Sequence, residues 1–357
     1  MTRKTYNAIG VMSGTSLDGI DLCWAEFSKK EAWSFRILAA ETLLYSEDMK
    51  ARLSTSIALK ADQLNQLNYD YTKYLGFEIN NFIQKHSIIN LDAVCSHGHT
   101  VFHQPEKGLT LQIGNLPQLA DYIQQTLVCD FRAQDVAMGG QGAPLVPVGD
   151  AFLFSEYDFC LNLGGFANIS FQKQHHRLAF DICPANLPLN HYVKSLGFAY
   201  DEGGVLAAQG TLNEPLLAAL NRLDFYKKQP PKSLGLEWLK CEVYPLLDQC
   251  GIDINSILRT LVEHTAIQIS DTLKQNKLSN GLYTGGGVLN TFLLARIGAH
   301  VGYKIQVSNL DLVHYKEALI FGFLGVLKLR NEVNCLQSVT GASKDHSSGE
   351  IYLPTKY

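Results

Sequence analysis

Ser13, Thr15, Ser16 and Asp18 are spaced through one glycine-punctuated tip, Ser13-Gly14-Thr15-Ser16-Leu17-Asp18-Gly19, and that combination suits an anion. Successive backbone N–H groups and three hydroxyls can surround phosphate oxygens, while Gly14 and Gly19 allow positive φ and close backbone approach. Asp18 supplies the carboxylate that such a site needs for Mg²⁺, a hard cation that takes oxygen ligands and keeps waters. No lysine follows the glycines and no helix pattern comes next, so this is not a P-loop. Taken by itself the stretch also fits an ordinary hairpin turn, although it is longer than a hairpin needs.

The elements that must hold this tip follow from the flanking pattern. One apolar run, Ala8 to Met12, enters it and another, Ile20 to Phe27, leaves it, which predicts a β-hairpin. Trp33 to Tyr45 reads as a third strand, and Ser46 as the N-cap of a helix with Glu47 and Asp48 in its first turn. Leu64, Leu67, Tyr71, Leu75, Ile79 and Phe82 recur at helical spacing and predict a long amphipathic helix over 61–86. Short strands are expected at 92–95, 109–113 and 127–131, with a helix over 116–125. The second half repeats this order: a strand at 159–163, a tip at Gly164-Gly165-Phe166-Ala167-Asn168, a return strand from Ile169 and a third strand at 178–182. Helices are expected from Asn190, over 256–273, from Val288 and over 317–329, and a strand at 281–284 ends in Gly285-Gly286-Gly287. Two glycine tips, one per half, can clamp a polyphosphate in a cleft between domains.

Bulk properties narrow the class. A chain of 357 residues suggests two domains, and 46% hydrophobic with 18% charged residues suffices for a sizeable core. A net charge of −4 marks neither a general nucleic-acid binder nor a membrane-surface protein. The 8 cysteines form no Cys-x-x-Cys pair, which points to reduced thiols in a cytoplasm rather than a disulfide framework or a zinc site. With no leader-like N-terminus and no membrane-length apolar run, a soluble intracellular enzyme is the expected class. His97, His99 and His103 lie close together, but no obvious carboxylate or thiol accompanies them as ligands. Arg132 has the planar fork that pairs with a carboxylate, or it closes a salt bridge at a strand end.

These motifs, in this order, resemble known proteins. The first hairpin is similar to the first phosphate loop of the sugar-kinase, Hsp70 and actin superfamily, Leu163 to Ser170 to its second, and Gly285-Gly286-Gly287 to its adenosine loop. More specifically, the chain resembles anhydro-N-acetylmuramic acid kinases from end to end. The residues that carry this are Met12 to Asp21, Ser96-His97-Gly98 with Thr100, Gln112-Ile113-Gly114, Asp130-Phe131-Arg132 and Gly139 to Pro147. Pro230-Pro231-Lys232-Ser233, the triple glycine with Asn290, Glu317-Ala318 and Val339-Thr340-Gly341-Ala342 complete the series. The resemblance implies an α/β, two-domain actin-like fold built on a ribonuclease H-like repeat with an interdomain cleft. The expected lobes are 1–130 with 317–357, and 131–316.

Function is implied by the same resemblance: ATP- and Mg²⁺-dependent opening of 1,6-anhydro-N-acetylmuramic acid by water, with phosphorylation to N-acetylmuramic acid 6-phosphate, in peptidoglycan recycling. Asp181 matches the catalytic aspartate that takes a proton from the attacking water, and Glu317 a partner that orients water or a sugar hydroxyl. Gly14, Thr15, Ser16, Leu17, Asp18, Gly19, Ile20 and Asp21 are implied to meet the nucleotide, together with Gly164, Gly165, Gly285, Gly286, Gly287 and Asn290. His97, Thr100, Arg132 and Asn168 are implied to meet the sugar, Arg132 through its lactyl carboxylate. Asp18 is the expected Mg²⁺ ligand. A homodimer in the cytoplasm is implied by the family alone. The chain departs from the family at Ile182, Cys183 and Ala185, where the usual stretch carries two glycines, and at Leu234-Gly235-Leu236, which replaces Thr-Gly-Arg. These changes leave two alternatives: a kinase of a related amino sugar, or a nucleotide-gated sugar-binding protein with weakened turnover.

Overall fold

The computed structural model describes residues 3–14 and 17–355. They divide into two compact units, 1–153 with 315–357, and 154–314. Numbered along the chain, the first unit opens with β1 (Thr5–Ser13), β2 (Ile20–Lys29), β3 (Trp33–Leu43), α1 (Glu47–Ser54), α2 (Ala61–Lys85) and β4 (Ala93–Gln104). It continues with β5 (Leu109–Ile113), α3 (Gln118–Ile123), β6 (Leu127–Cys129), α4 (Ala133–Ala137) and α5 (Val146–Leu153). The second unit holds β7 (Phe159–Leu163), β8 (Phe166–Lys173), β9 (His176–Pro184), α6 (Asn186–Val193), α7 (Val205–Gln209) and α8 (Glu214–Asn221). Then come α9 (Leu236–Trp238), α10 (Tyr244–Asp248), α11 (Ile254–Gln275), β10 (Gly281–Thr284) and α12 (Thr291–Val301). From α13 (Leu310–Leu329) the chain returns to the first unit with α14 (Gln337–Thr340) and β11 (Glu350–Tyr352).

Both sheets carry the same motif. In the first, the antiparallel meander β1-β2-β3 places β4 parallel to β1, giving the order β11-β6-β4-β1-β2-β3 with β5 also on β4. In the second, β7-β8-β9 is the meander and β10 lies parallel to β7, in the order β10-β7-β8-β9. The repeat expected from the glycine tips is therefore present as topology, and the fold is α/β as expected. Helix α2 forms where its apolar spacing put it, burying Leu64, Leu67, Tyr71, Leu75, Ile79 and Phe82. Ser46 caps α1 by accepting the Met49 N–H.

Several boundaries differ from the expectation. Strand β4 runs through Ser96, His97 and Thr100 to Gln104, where only a short strand and a loop were expected, because β1 and β5 both pair with it. The triple glycine leads into a single 3₁₀ turn, Gly286–Leu289, and the helix begins at Thr291 rather than Val288. Helix α13 begins at Leu310, so Glu317 lies well inside it and not at its start. Residues 131–153 belong with the first unit, not with the second lobe, since Phe131 packs on Phe321 and Gly149 abuts Ile320, both on α13. Among the described residues no helix is long and apolar enough to cross a membrane, and all the cysteines are free.

The seam between β1 and α13 sets the first unit. A Cβ on Gly10 would lie 1.7 Å from the Ala318 carbonyl oxygen and 2.7 Å from the Gly322 nitrogen, so α13 rests on bare backbone. The second unit is tied by buried Glu263 on α11, which accepts from Arg259, from Arg296 at 2.7 and 2.8 Å and from His300 at 2.7 Å. Burial would raise its carboxyl, but the bonds from Arg296, Arg259 and His300 win and hold it at about 2.

Two outcomes follow. Gly10→Ala should destabilise the protein by about 3 kcal/mol or more, the upper range for overpacking, in a chemical denaturation curve; a loss under about 1 kcal/mol would show that α13 yields freely. Because the folded carboxyl of Glu263 lies below its unfolded value of 4.5, its contribution is present above that pH and lost as pH falls toward about 2. Glu263→Gln should therefore flatten the acid limb of a stability-against-pH curve.

Candidate active site

The hairpin tip divides its polar residues between inside and outside. Ser13 is buried: its hydroxyl lies 2.6 Å from Tyr45 Oη and 3.0 Å from His99 Nδ1, and Tyr45 in turn meets Tyr71 at 2.8 Å. The expectation that Ser13 offers its hydroxyl to phosphate is corrected, because that group closes a buried chain beneath the tip. Burial pushes His99 down to about 4, so it takes part as a neutral ring. Gly14 and Leu17 are half-buried, and the Leu17 N–H reaches the Gly14 carbonyl at 3.3 Å. The left-handed residue here is Leu17 (φ 60°); Gly19 is needed for space, since a Cβ would meet the Leu43 carbonyl at 2.6 Å. Asp18 is exposed, Ile20 is buried, and half-buried Asp21 accepts the Thr42 hydroxyl at 2.6 Å. Thr15 and Ser16 lie outside the described residues.

Beside β4, a second group forms around Arg132. The His97 Nδ1–H donates to the Gly98 carbonyl at 2.8 Å, which leaves Nε2 as the acceptor for Arg132 Nε–H at 2.9 Å. Burial, and next the Arg132 charge, hold His97 well below its ordinary range, so the neutral Nδ1–H tautomer persists. Arg132 Nη1 donates to the Gly142 carbonyl at 2.6 Å, and the guanidinium lies over the Phe321 ring at 6.0 Å. Desolvation lowers Arg132 to about 10, where it is still a cation at neutral pH. Two of its edges are thus held by protein, and its Nη2 makes no hydrogen bond among the described residues. Both nitrogens of His97 are likewise engaged, so the ring orients Arg132 and is not free to hold sugar as expected. Thr100 is half-buried on the same strand and accepts from Gln112 Nε2 at 3.4 Å.

Glu317 reaches the surface of α13, yet the protein around it pushes its carboxyl up, against the pull of Arg132 and Lys316. Its neighbour Lys316 is buried and pairs with Asp150 at 2.7 Å. Sequence reading missed both Lys316 and Asp150; the only available signal was that Lys316 adjoins Glu317.

In the second unit the loops implied to meet nucleotide come together. Gly164 and Gly165 turn β7 into β8, and their carbonyls accept the Asn186, Ala185 and Leu187 N–H groups at 3.0–3.2 Å. Gly285 (φ 82°) and Gly287 pack so tightly on this tip that a Cβ would meet Asn162 Oδ1 at 2.4 Å and Leu163 Cβ at 2.7 Å. Gly286 beside them is exposed with open space at its Cβ position. Asn290 is buried and its side-chain oxygen caps α12 by accepting Leu293 N–H at 2.9 Å. That oxygen is therefore a helix cap where a nucleotide contact was expected. Asn186 ties the tip from the other side by donating Nδ2 to the Leu163 carbonyl at 3.1 Å.

Asp181 sits near the end of β9 and faces Asn168 across the strand pair. It is half-buried rather than open to a polar surface. Burial pushes its carboxyl up, and the Leu234 N–H, 2.8 Å from Oδ2, pulls it down. The Asp181 N–H also donates to the Lys232 carbonyl at 3.1 Å, so the stretch after Pro230-Pro231 offers its own backbone to both bonds with Asp181. The substitution at Leu234 leaves this bond intact. Ile182, Cys183 and Ala185 are buried in the core, and Ala185 has a negative φ of −131°, so the turn runs without left-handed geometry there. Leu236 is exposed at the start of α9.

The family model and the similar sequences agree with one another. The family model described as anhydro-N-acetylmuramic acid kinase matches residues 6–354. The chain is 33% identical over 372 residues to a protein of that name from Saccharophagus degradans, covering 97% of this chain and 98% of that one. With another from Mannheimia succiniciproducens it shares 35% identity over 381 residues, covering 99% and 100%. Among solved structures, the ADPNP-bound activator of 2-hydroxyisocaproyl-CoA dehydratase from Clostridium difficile aligns at 13% identity and a TM-score of 0.43, over 91% of this chain and 97% of that one.

The Arg132–His97 geometry makes a spectroscopic prediction. In ¹⁵N-detected imidazole spectra, His97 should remain in the neutral Nδ1–H form well below the ordinary histidine range. A His97 that protonates with an ordinary pKa would show that Nε2 does not accept from Arg132.

Proposed function

Because the chain belongs to the anhydro-N-acetylmuramic acid kinase family, we propose that it uses ATP and water to open 1,6-anhydro-N-acetylmuramic acid and phosphorylate O6. The products are N-acetylmuramic acid 6-phosphate and ADP, and the role is peptidoglycan recycling. The observation that carries this reading is the match of residues 6–354. The half-buried carboxylate of Asp181, held on one oxygen by a backbone N–H, is consistent with it.

Asp181 is the general base of this scheme. It draws a proton from the water that attacks the anomeric carbon, while the departing O6 takes the γ-phosphoryl group. With Oδ2 on the Leu234 N–H, the carboxylate has a fixed plane. Its raised pKa brings its basicity closer to neutral pH, which favours proton transfer. Asn168, opposite Asp181, and Thr100 bind sugar hydroxyls. Arg132 offers Nη2 to the lactyl carboxylate, with His97 and Gly142 fixing the fork. Glu317 orients water or a sugar hydroxyl.

Gly14 to Asp21, Gly164, Gly165 and Gly285 to Gly287 bind the nucleotide through backbone. The exposed Asp18 carboxylate, with other oxygens of the tip, fits a Mg²⁺ ion that retains waters. Bound there, Mg²⁺ neutralises charge on the phosphate oxygens. The protein works as a cytoplasmic homodimer, a reading that rests on family membership alone. Of the two alternatives, weakened turnover loses part of its motive, because the departures at Cys183 and Ala185 lie in the core. The related-sugar reading, motivated by the same lost glycines, loses that motive as well.

Asp181→Asn keeps size and most hydrogen bonds but removes basicity. Sugar and ATP should bind near-normally while turnover falls by about 10²–10⁴-fold, the share of a positioned base. The wild-type rate should fall as pH drops through an apparent pKa above the usual carboxylate range, and that limb should vanish in the variant. A residual rate within a few-fold of wild type in a coupled ADP-release assay would move the base to Glu317. No phosphorylated product from the anhydro sugar, with product from another amino sugar, would overturn the substrate.

A further inference from the structure

Asp135, Cys335 and His346 come from three separate stretches of the first unit: helix α4, the segment between α13 and α14, and the turn ahead of β11. All are buried, at 0%, 0% and 6% exposure. One carboxylate oxygen, one sulfur and one ring nitrogen lie within 4.8 Å of one another. Asp135 Oδ1 stands 2.9 Å from Cys335 Sγ and 3.6 Å from His346 Nε2. The proposed kinase chemistry uses none of the three.

Proton accounting shows a conflict. His346 Nδ1–H donates to the Lys344 carbonyl at 3.1 Å, so Nε2 of the neutral ring carries a lone pair. That nitrogen is sealed from solvent and makes no hydrogen bond. It points at a carboxylate oxygen that already accepts the Thr340 hydroxyl at 2.7 Å and the Cys335 thiol. Two lone-pair atoms facing each other in dry protein are costly, and a cation between them removes the cost.

We propose that Asp135, Cys335 and His346 form a binding site for a zinc-class divalent ion, with Thr340 Oγ1 or a water in the fourth position. The mixed sulfur, nitrogen and oxygen donors suit Zn²⁺ and disfavour Mg²⁺ or Ca²⁺. The 3.6 Å gap between nitrogen and oxygen is close to the edge of a zinc tetrahedron, which is about 3.3–3.5 Å. Seating the ion requires the sulfur to move away from the oxygen by roughly 0.6 Å. Supporting bonds of the kind that orient metal ligands are in place: His346 Nδ1–H to Lys344, and Gly142 N–H to Asp135 Oδ2 at 2.7 Å. Without a metal, burial and then the Asp135 carboxylate keep the Cys335 thiol protonated. Binding displaces that proton to solvent, leaving a thiolate on the ion.

The ion would join α4 to the C-terminal segment beside the catalytic machinery. Asp135 holds the Gly142 N–H, and the Gly142 carbonyl holds Arg132. Its role is to stiffen the loop that fixes the guanidinium, with no part in the reaction.

The test uses the full chain, expressed with zinc and assayed for metal by mass spectrometry, then stripped and titrated with Co²⁺. One equivalent of zinc should be retained, and Co²⁺ should give a thiolate-to-metal charge-transfer band with tetrahedral ligand-field bands. Cys335→Ser and His346→Gln should each weaken Co²⁺ affinity by about 100-fold or more and remove the charge-transfer band or shift the ligand-field bands. Zinc should raise the melting temperature of the wild type only. Absence of retained zinc together with absence of the cobalt band in the wild-type chain, which needs no variant to fold, overturns the site. A cobalt band that survives Cys335→Ser would also overturn it, since the thiolate would come from elsewhere.

Discussion

The first unit depends on a contact with no side chain in it. Helix α13 lies on β1 where Gly10 offers bare backbone to Ala318 and Gly322. A helix can approach a strand that closely only where neither presents a Cβ. The approach fixes the height and rotation of α13. Lys316 is thereby delivered to Asp150, Phe321 to His97 and Arg132, and Ile320 to the bare face of Gly149. Gly325 repeats the device further along, against Cys95 and Val128. A residue on α13 can thus be positioned as stiffly as one on the sheet.

The two candidate carboxylates are tuned in different ways. Burial raises both. Around Glu317, cations lower it again, with Arg132 and Lys316 facing the Asp21 and Asp150 charges. Among the described residues, Asp181 has one neutral N–H and no cation to stabilise its charge. A group left with so little support keeps more of its proton affinity, which is what a base requires and an ion-pair partner does not. The difference arises from backbone geometry: the stretch from Lys232 to Leu234 bonds Asp181 through its own main chain, so the Leu234 side chain takes no part in those bonds.

Hydrogen-bond direction reassigns several polar residues. Ser13, His97 and Asn290 lie in motifs that resemble ligand-binding loops, yet the Ser13 hydroxyl, both His97 nitrogens and the Asn290 side-chain oxygen are used inside the fold. They act at one remove: Ser13 closes the chain beneath the glycine tip, His97 aims Arg132, and Asn290 starts the helix after the triple glycine. A buried polar group must find a partner wherever the fold allows it, and the nearest partner is usually protein.

The meanders, the long helix α2 and the Ser46 cap were legible in sequence because local rules decide them: period two for strands, period 3.6 for helices, and an oxygen at the N-cap. The family was legible too, since motif order survives substitution. Element ends were not. Strand β4 extends past Cys95 because two other strands pair with it, and α13 begins at Leu310, ahead of Glu317. Nor could sequence spacing disclose Asp135, Cys335 and His346 as neighbours, because they lie far apart along the chain and nothing periodic links them. Local propensity depends on residues a few positions apart, whereas strand pairing, side-chain partners and proton positions depend on what the folded chain brings alongside.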